Sequence, residues 1–510
     1  MIKKFCTDLK QEFKGYNGKL FSRDLMAGLT VTAVALPLAL AFGVSSGADA
    51  AAGLITAIIA GLIISTFAGA SFQISGPTGA MTAVLITIVA KYQMQGVFIA
   101  SLIAGIILLV MGIFKLGNLI RFIPMPVVTG FTSGIAIIIA LGQVDNFFGT
   151  VSKGENALQK LFSYGELGFS PNWYAVIIGM LVILIMAFYP KKWNGVVPSS
   201  LVSIIIAAII SNVLKFDIAV VGDIPRTLLH ETRLTFGGIN FDMIKDLISP
   251  AFTIAMLSMI ESLLCGSAAS RMKKENFDAD RELVAQGIGN IIIPFFGGVP
   301  ATAAIARTSV AIKSGCVTRL TGIIHAIGLL LSMFLLGGLM ARLPLSALAG
   351  VLIMTAWRMN EWHSIKYIFS RKFKGAIAKF LITMICTVVF DLTVAVIIGV
   401  VFSFILFVAK SSKAEITTDG NTVNVKGCIF FANSKPLGDT LEALEGNNRI
   451  IISLDEVYMM DISAAQNLHE ICGNLMKNDT EITFTGVKES VRKMLERAGV
   501  FELCGEKTEA

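Results

Sequence analysis

Two charged residues lie within apolar stretches, where charges are rare. Glu261 stands in the middle of the run from Ser249 to Arg271, and Arg307 lies in the run from Pro294 to Gly315. A charge at membrane depth is costly, and it faces a cavity or a partner rather than lipid. One hypothesis is a structural Glu261–Arg307 ion pair. The other is an anion site, in which Arg307 supplies positive charge and Glu261 carries a proton. Both can hold, because a pair that breaks on protonation is a switch.

The stretch that contains Arg307 is interrupted before the arginine. Gly297, Gly298 and Pro300 break it, since glycine loosens a helix and proline removes an amide. The stretch Ser71–Lys91 has the same order of Gly/Pro break, small residues and short apolar helix. Such pairs at matching positions point to a transporter site between inverted repeats, because two half-helix ends direct free amides at an anion. Two kinked helices, in which proline relieves packing, are the alternative.

The elements that position these stretches are apolar runs from residue 25 to about residue 410. Hydrophobic residues make up 55% of the 510, charged residues 15%, and the mean hydropathy is +0.75, values typical of a multi-pass membrane protein. A spanning helix needs roughly 20 apolar residues. The stronger runs cover about 25–44, 50–69, 95–114, 127–148, 173–189, 196–214, 249–268, 318–340, 344–358, 376–390 and 392–409, and the weaker ones 77–90, 283–296 and 301–313. Together they predict fourteen elements.

Basic residues orient these elements. They precede the first span and recur in clusters later in the chain, including Lys115 with Arg121, Lys191 with Lys192, Arg271 to Arg281, Arg371 to Lys374, and Lys410 with Lys413. By the positive-inside rule the clustered side is cytoplasmic. We therefore expect residues 1–24 to be a cytoplasmic segment, residues 25–410 the membrane domain, and both termini to be cytoplasmic. An odd number of spans would scatter the clusters over both faces.

The composition changes after residue 410. Strand-like runs at 423–431, 450–454 and 481–484 alternate with amphipathic helical patterns at 437–444, 463–475 and 488–498. This alternation predicts a small α/β domain over residues 411–510.

Other classes of site find little support in the sequence. The seven cysteines form no CxxC pair and there are only four histidines, so we expect neither a disulfide framework, nor a metal site, nor a cofactor. No nucleophile–base set or P-loop indicates an enzyme, and no residue is expected to be catalytic. Asp145 and Asp391 are interpreted as interfacial residues and His325 as a core residue. Phe42, four residues after Leu38, could line the site, although aromatic residues are more often core.

Several motifs resemble those of one family. They are Leu36–Phe42 (LPLALAF), Ser75–Thr78 (SGPT), Phe131–Gly134 (FTSG), Glu261–Cys265 (ESLLC), Gln286–Asn290 (QGIGN) and Pro300–Thr308 (PATAAIART). In order along the chain, they resemble the sulfate permease (SulP) family of anion transporters. Residues 457–468 (VYMMDISAAQNL) are similar to the STAS domain, the sulfate-transporter and anti-sigma-antagonist module.

The resemblance implies an all-α membrane domain of two inverted repeats of seven elements. Spans 1–4 and 8–11 would form a core domain and the others a gate domain, with elevator-like movement between them and a homodimeric assembly. The anion would lie between elements 3 and 10. The resemblance implies that the substrate-binding residues are Phe42, Thr78, Gly79, Ala306 and Arg307. It also implies that the tenth helix starts close to Ala306 and that the residues before it are extended.

The substrate is less constrained by the resemblance. Leu38 stands where many sulfate transporters have glutamine. Glu261 and Cys265 stand where sodium-dependent bicarbonate members have aspartate and threonine, which disfavours a sodium site. Together, the motifs most resemble the bacterial C4-dicarboxylate branch. We therefore expect proton-coupled uptake through Glu261 across the inner membrane, with a sulfate or bicarbonate transporter, or an anion channel or sensor, as alternatives. Ile462 follows Asp461 at the position where stand-alone STAS proteins carry a phosphorylated serine, so we do not expect regulation by phosphorylation there. We expect the STAS domain to take part in dimerisation and regulation.

Overall fold

The computed structural model describes residues 2–118, 123–153, 157–190, 197–235, 241–390, 392–411, 414–431, 433–504 and 508–509. The chain divides into two units, Met1–Gly399 and Val400–Ala510. Some residues used in the sequence interpretation lie outside the described ranges, namely Arg121, Lys191, Lys192, Asp391 and Lys413.

In the first half of the membrane domain, the regular elements of the described residues are helices and one short strand. Its elements are α1 (Ile2–Glu12), α2 (Gly18–Ser45), α3 (Ala50–Phe67), β1 (Ser75–Gly76), α4 (Gly79–Ile113), α5 (Met125–Gly142), α6 (Val144–Phe148), α7 (Ala157–Leu167), α8 (Trp173–Phe188) and α9 (Ser199–Val213). Helix α2 begins at Gly18, ahead of the expected residue 25, because the Asn17 side chain accepts hydrogen bonds from the amides of Lys19 and Leu20 and caps the helix.

The second half follows the same plan. Its elements are α10 (Phe241–Lys273), α11 (Ala279–Ile292), a 3₁₀ turn (Ile293–Phe296), β2 (Thr302–Ala303), α12 (Ile305–Lys313), α13 (Leu320–Met340), α14 (Leu345–Met359), α15 (Trp362–Ser370), α16 (Lys374–Val389) and α17 (Leu392–Ser411). Among the described residues, six helices are long and apolar enough to cross a membrane by length and composition.

Helix α4 is two elements joined at a break. Gln93 has φ 55° and ψ −164°, which no helical residue adopts. The segment before Gln93 is the short half-helix expected at 77–90, and the segment after it is the span expected at 95–114. With α4 counted as two, and the peripheral helices α1, α6, α7 and α15 left aside, the described residues form the fourteen expected elements.

The elements separate into two packed groups. In the core group α4 packs on α10 and α11, and α13 packs on α2 and α3; in the gate group α5 packs on α14 and α16, and α8 packs on α9 and α14. Glycines permit the closest approaches. A Cβ on Gly105 would lie 2.8 Å from the Gly287 carbonyl oxygen in the core, and one on Gly130 would lie 2.4 Å from that of Phe380 in the gate. The core and gate groups expected from the family resemblance are therefore present.

After the end of α17, the second unit is a small α/β domain, as predicted. Its elements are β3 (Glu415–Asp419), β4 (Thr422–Ile429), α18 (Ser434–Glu442), β5 (Arg449–Met460), α19 (Ile462–Met476), β6 (Glu481–Thr485), α20 (Glu489–Arg497), α21 (Val500–Cys504) and β7 (Thr508–Glu509). In the described residues the strand order is β3-β4-β5-β6-β7; β3 is antiparallel to β4 and the other pairs are parallel. Strand β3 was not predicted, because its residues are mostly exposed and lack apolar alternation.

Candidate functional site

The two interrupted stretches meet in a two-residue antiparallel pairing. Ser75 faces Ala303 and Gly76 faces Thr302 across β1 and β2. The chains leave this pairing in opposite directions, and α4 and α12 begin a few residues later. The amino-terminal ends of both half-helices therefore point back toward one place in the core.

Neither half-helix is capped by a side chain. Thr78 at the start of α4 makes no side-chain cap hydrogen bond, and Ala304 at the start of α12 has no side chain able to make one. The first turn of each helix therefore presents backbone amides without a capping partner among the described side chains. At the start of α12, Ile305 is 50% exposed and Ala306 is also exposed. Uncapped amides at a helix start, with the positive end of the helix dipole, suit an anion.

Arg307 extends from α12 to the segment that precedes α4. Its Nη2 donates to the carbonyl oxygen of Pro77 over 2.8 Å, and its Nη1 has no hydrogen-bond partner among the described residues. The side chain is only 1% exposed. Gly76 makes this placement possible, since a Cβ there would lie 2.5 Å from Nη1.

Glu261 on α10 reaches the same segment from another side. Its Oε2 accepts a hydrogen bond from Thr78 Oγ1 over 2.8 Å. Within the described residues no ion pair closer than 4.0 Å joins Glu261 to Arg307, so the hypothesis of a direct ion pair is wrong for this structure. The reason is geometric, because each charged group bonds to one of the adjacent residues Pro77 and Thr78 instead.

Buried polar side chains fix the extended residues before α12. Asn290 on α11 accepts from the amide of Ala301 over 2.8 Å and donates to its carbonyl oxygen over 2.9 Å. Ser262, beside Glu261 on α10, accepts from the amide of Ala303 over 3.1 Å and bonds to the Thr302 hydroxyl over 2.9 Å. Because extended backbone inside a membrane has no water to bond to, these partners make the break in the helix tolerable.

The segment before α4 is fixed in a similar way. Gln286 donates to Ser75 Oγ over 2.8 Å, and Thr308 accepts from the amide of Ile74 over 3.1 Å. Cys265 donates in turn to the Thr308 hydroxyl over 3.4 Å. Gln286, Thr308 and Cys265 belong to the sequence motifs, but these hydrogen bonds were not predicted. Polar residues within apolar runs are the signal that could have identified them.

Phe42 and Gly79 adjoin at the start of α4. A Cβ placed on Gly79 would lie 3.2 Å from Phe42 Cε1 and 2.1 Å from Ile139 Cδ1, and the Phe42 side chain is 7% exposed. The structure thus brings Phe42, Thr78, Gly79 and Glu261 together, with Arg307 reaching them from α12. Their roles in binding stay predictions.

His325 makes a contact between two helices of the core group. His325 is fully buried, and its Nδ1 is 3.4 Å from Thr32 Oγ1, a contact between α13 and α2. Among the described residues, no group of three or more His, Cys, Asp or Glu side chains could hold a metal ion.

A contact between a histidine and a carboxylate involves the loop that joins α9 to α10. His230 Nε2 is 2.8 Å from Asp49 Oδ2, and the His230 amide donates to the carbonyl oxygen of Phe296 over 3.2 Å. The hydrogen bond with Asp49 raises the pKa of His230. Burial alone would raise the pKa of Asp49, but the hydrogen bonds from His230 and the Ala52 amide lower it. The pair therefore ties this loop to the start of α3.

The described architecture defines a class of protein: a polytopic membrane protein with two interrupted helical stretches that meet in one backbone pairing, followed by a small α/β domain. The sequence model of the sulfate permease family matches residues 21–386, and that of the STAS domain matches residues 413–509. The chain belongs to the sulfate permease family. It is an anion transporter and not an enzyme.

Individual relatives agree with this assignment. The chain is 33% identical to a putative sulfate transporter, YvdB, of Bacillus subtilis (strain 168), over 97% of this chain and 96% of the relative. It is 27% identical to the bicarbonate transporter BicA of Picosynechococcus, over 94% and 91%. The names of these relatives mention sulfate and bicarbonate.

Solved structures support the fold. The transmembrane domain of a cyanobacterial bicarbonate transporter, BicA, superposes with a TM-score of 0.70 at 31% identity, covering 75% of this chain and 98% of that one. The structure of SLC26A9 superposes with a TM-score of 0.81 at 17% identity, covering 96% and 87%, which bears on the fold alone.

Proposed function

We propose that this protein is a secondary active transporter that couples uptake of a small anion to protons by an elevator-type movement of core against gate. One observation carries the proposal. Two uncapped half-helix ends share one backbone pairing, and a buried arginine and a glutamate bond to the adjacent residues Pro77 and Thr78.

The anion would lie between the two helix starts. Amides near Thr78 and Gly79 on one side, and near Ala306 and Arg307 on the other, would donate to its oxygens, with the Phe42 ring as an apolar wall. The guanidinium does not need to contact the anion directly, because its charge adds to that of the helix ends at short range in a medium of low dielectric. Nη1 of Arg307 has no hydrogen-bond partner within the described part of the chain, so a donor is available.

Glu261 would carry the coupling proton. An ionised carboxylate only accepts hydrogen bonds, whereas a protonated one also donates, so the bond with Thr78 changes character when the proton binds. An anion at the helix ends and an ionised Glu261 repel each other. Binding of the anion and binding of the proton therefore favour one another, and this coupling is reciprocal.

For the substrate, we propose a C4-dicarboxylate such as succinate or fumarate, on the motif resemblance. Sulfate or bicarbonate is the second candidate, supported by the names of relatives. Uptake of fumarate, succinate, sulfate and bicarbonate into proteoliposomes would decide between them. Accumulation of sulfate or bicarbonate, with no accumulation of either dicarboxylate, would reject the first candidate. Single-channel currents would show that the protein is a channel and not a secondary active transporter.

The remaining features of the proposal concern assembly and placement. We propose a homodimer in the bacterial inner membrane with both termini cytoplasmic and with the STAS domain assisting dimerisation and regulation. The basic clusters and the family resemblance support this arrangement. Cross-linking of single cysteines in membranes, and protease access from each side, test it.

A substitution tests the proton step. Glu261→Gln should abolish accumulation driven by an inward proton gradient while leaving exchange of anion across the membrane. Asp246→Asn, at an exposed position on the same helix α10, is the matched control and should keep the wild-type response. If Glu261→Gln accumulates anion with the gradient as wild type does, Glu261 is not the coupling group.

A further inference from the structure

The start of half-helix α4 is covered by a side chain from the gate group. Ile139 on α5 is 4% exposed, and its Cδ1 would lie 2.1 Å and its Cγ1 2.8 Å from a Cβ on Gly79. Phe42 lies near the same position from the core helix α2, at 3.2 Å. The backbone that would hold the anion is thus flanked by one apolar residue from each group. Only a glycine fits between them.

The two helices in this contact are anchored to different groups. A Cβ on Gly134 of α5 would lie 2.5 Å from Thr387 Cβ on α16, within the gate. The half-helix that contains Gly79 is held in the core, because β1 before it pairs with β2 and Thr78 at its start bonds to Glu261 on α10. Close packing and these bonds leave little room for sliding within a group. A movement of core against gate would therefore be accommodated at contacts such as the one between Gly79 and Ile139.

We propose that Ile139 is the gate-side wall of the anion site and sets the largest anion that the site accepts. The inference rests on the proposed function and deepens it. Backbone amides and a guanidinium accept any small anion with suitable oxygens, so charge alone does not select among sulfate, bicarbonate and dicarboxylates. The space beside Gly79 does select, because in a close-packed interior an apolar side chain excludes an anion larger than the gap.

The wall also has a sealing role in this proposal. An aliphatic side chain offers no hydrogen bonds to water or to an ion, so Ile139 separates the site from the gate side while the anion is bound. Shortening the side chain would widen the site and let larger anions enter. Discrimination by one or two methylene-sized groups in a pocket is worth about 10-fold or more.

Proteoliposomes with wild-type protein, Ile139→Ala and Ile139→Val test the proposal. Bicarbonate, sulfate, fumarate and citrate serve as a series of increasing size, and the readout is the ratio of uptake of larger to smaller anions. Ile139→Ala should raise that ratio about 10-fold, and Ile139→Val, the better tolerated change, should raise it less. Ile135→Ala is the matched control, because Ile135 lies one turn earlier on α5 and is 1% exposed.

Each outcome decides something. An unchanged ratio in both Ile139 variants, or an equal rise in Ile135→Ala, overturns the role of Ile139 while leaving the proposed function in place. Accumulation of none of the anions by wild-type protein overturns the proposed function and this inference with it. Thermal unfolding of each variant in detergent identifies a misfolded one, in which case Ile139→Val alone decides.

Discussion

Removal of the Thr78 hydroxyl should uncouple the proton from the anion. Thr78 is the residue at which the proposed proton carrier touches the proposed anion site, through the 2.8 Å bond to Glu261 Oε2. Thr78→Val keeps the branched shape and deletes the bond. A hydrogen bond to a charged group contributes about 1.5–3 kcal/mol, which corresponds to about 10- to 100-fold in an equilibrium constant.

The assay is accumulation of anion in proteoliposomes with and without an inward proton gradient. We expect Thr78→Val to lower the stimulation by the gradient about 10-fold or more, and Thr78→Ser, which keeps a hydroxyl, to retain most of it. Thr82→Val is the control on the same half-helix, because the Thr82 hydroxyl donates to the carbonyl oxygen of Gly79 and not to Glu261. Wild-type stimulation in Thr78→Val would refute the reasoning.

Three further substitutions follow from the contacts of the structure. Gly76→Ala should displace Arg307 and weaken anion binding about 10-fold by thermal shift, whereas Gly142→Ala, with nothing within 4 Å of its Cβ, should not. Asn290→Ala leaves the buried amide of Ala301 unpaired, at about 1–3 kcal/mol, while the Ala301 carbonyl oxygen keeps the bond from Ser258, so the Tm of the variant should fall. His230→Gln should lower Tm most where the pair with its partner carboxylate is ionic. Because the pKa of His230 is raised, the stability that His230 contributes is present at lower pH and is lost as pH rises through that pKa. Because the pKa of Asp49 is lowered, the stability that Asp49 contributes is lost only as pH falls through the pKa of Asp49. A Tm difference between His230→Gln and wild type that does not vary with pH would contradict this.

Much of the fold could be predicted because membrane-spanning helices consist of long apolar runs. Most of the fourteen elements were expected with bounds within a few residues of those observed, although α2 and α10 begin at residues 18 and 241 where 25 and 249 were expected. The α/β alternation of the second unit was clear. The elements predicted least well are those whose position is set by hydrogen bonds and not by burial of apolar side chains. Helix α2 begins early because of the cap at Asn17, and strand β3 forms at an exposed edge that needs no apolar face.

The site was only partly predictable. Charge rarity identified Glu261 and Arg307, and the Gly/Pro breaks identified the two half-helices. Which groups bond to each other depends on distances across five helices. These contacts join residues that are far apart in the chain, so no local sequence pattern predicts them. The hypothesis of a Glu261–Arg307 ion pair illustrates this point, since two charges at similar depth instead bond to neighbouring residues of one segment. Ile139 shows no distinguishing sequence signal, because it is one isoleucine in an apolar run.

The pairing of Ser75–Gly76 with Thr302–Ala303 has a consequence for energetics. Both helix starts are attached to the same backbone hydrogen bonds, so they cannot separate unless those bonds break. If the core shifts against the gate, the two helix starts then travel together and present the same backbone donors at the two membrane faces. Such a carrier has no built-in direction. The gradients of proton and anion alone would decide whether it fills the cell or empties it.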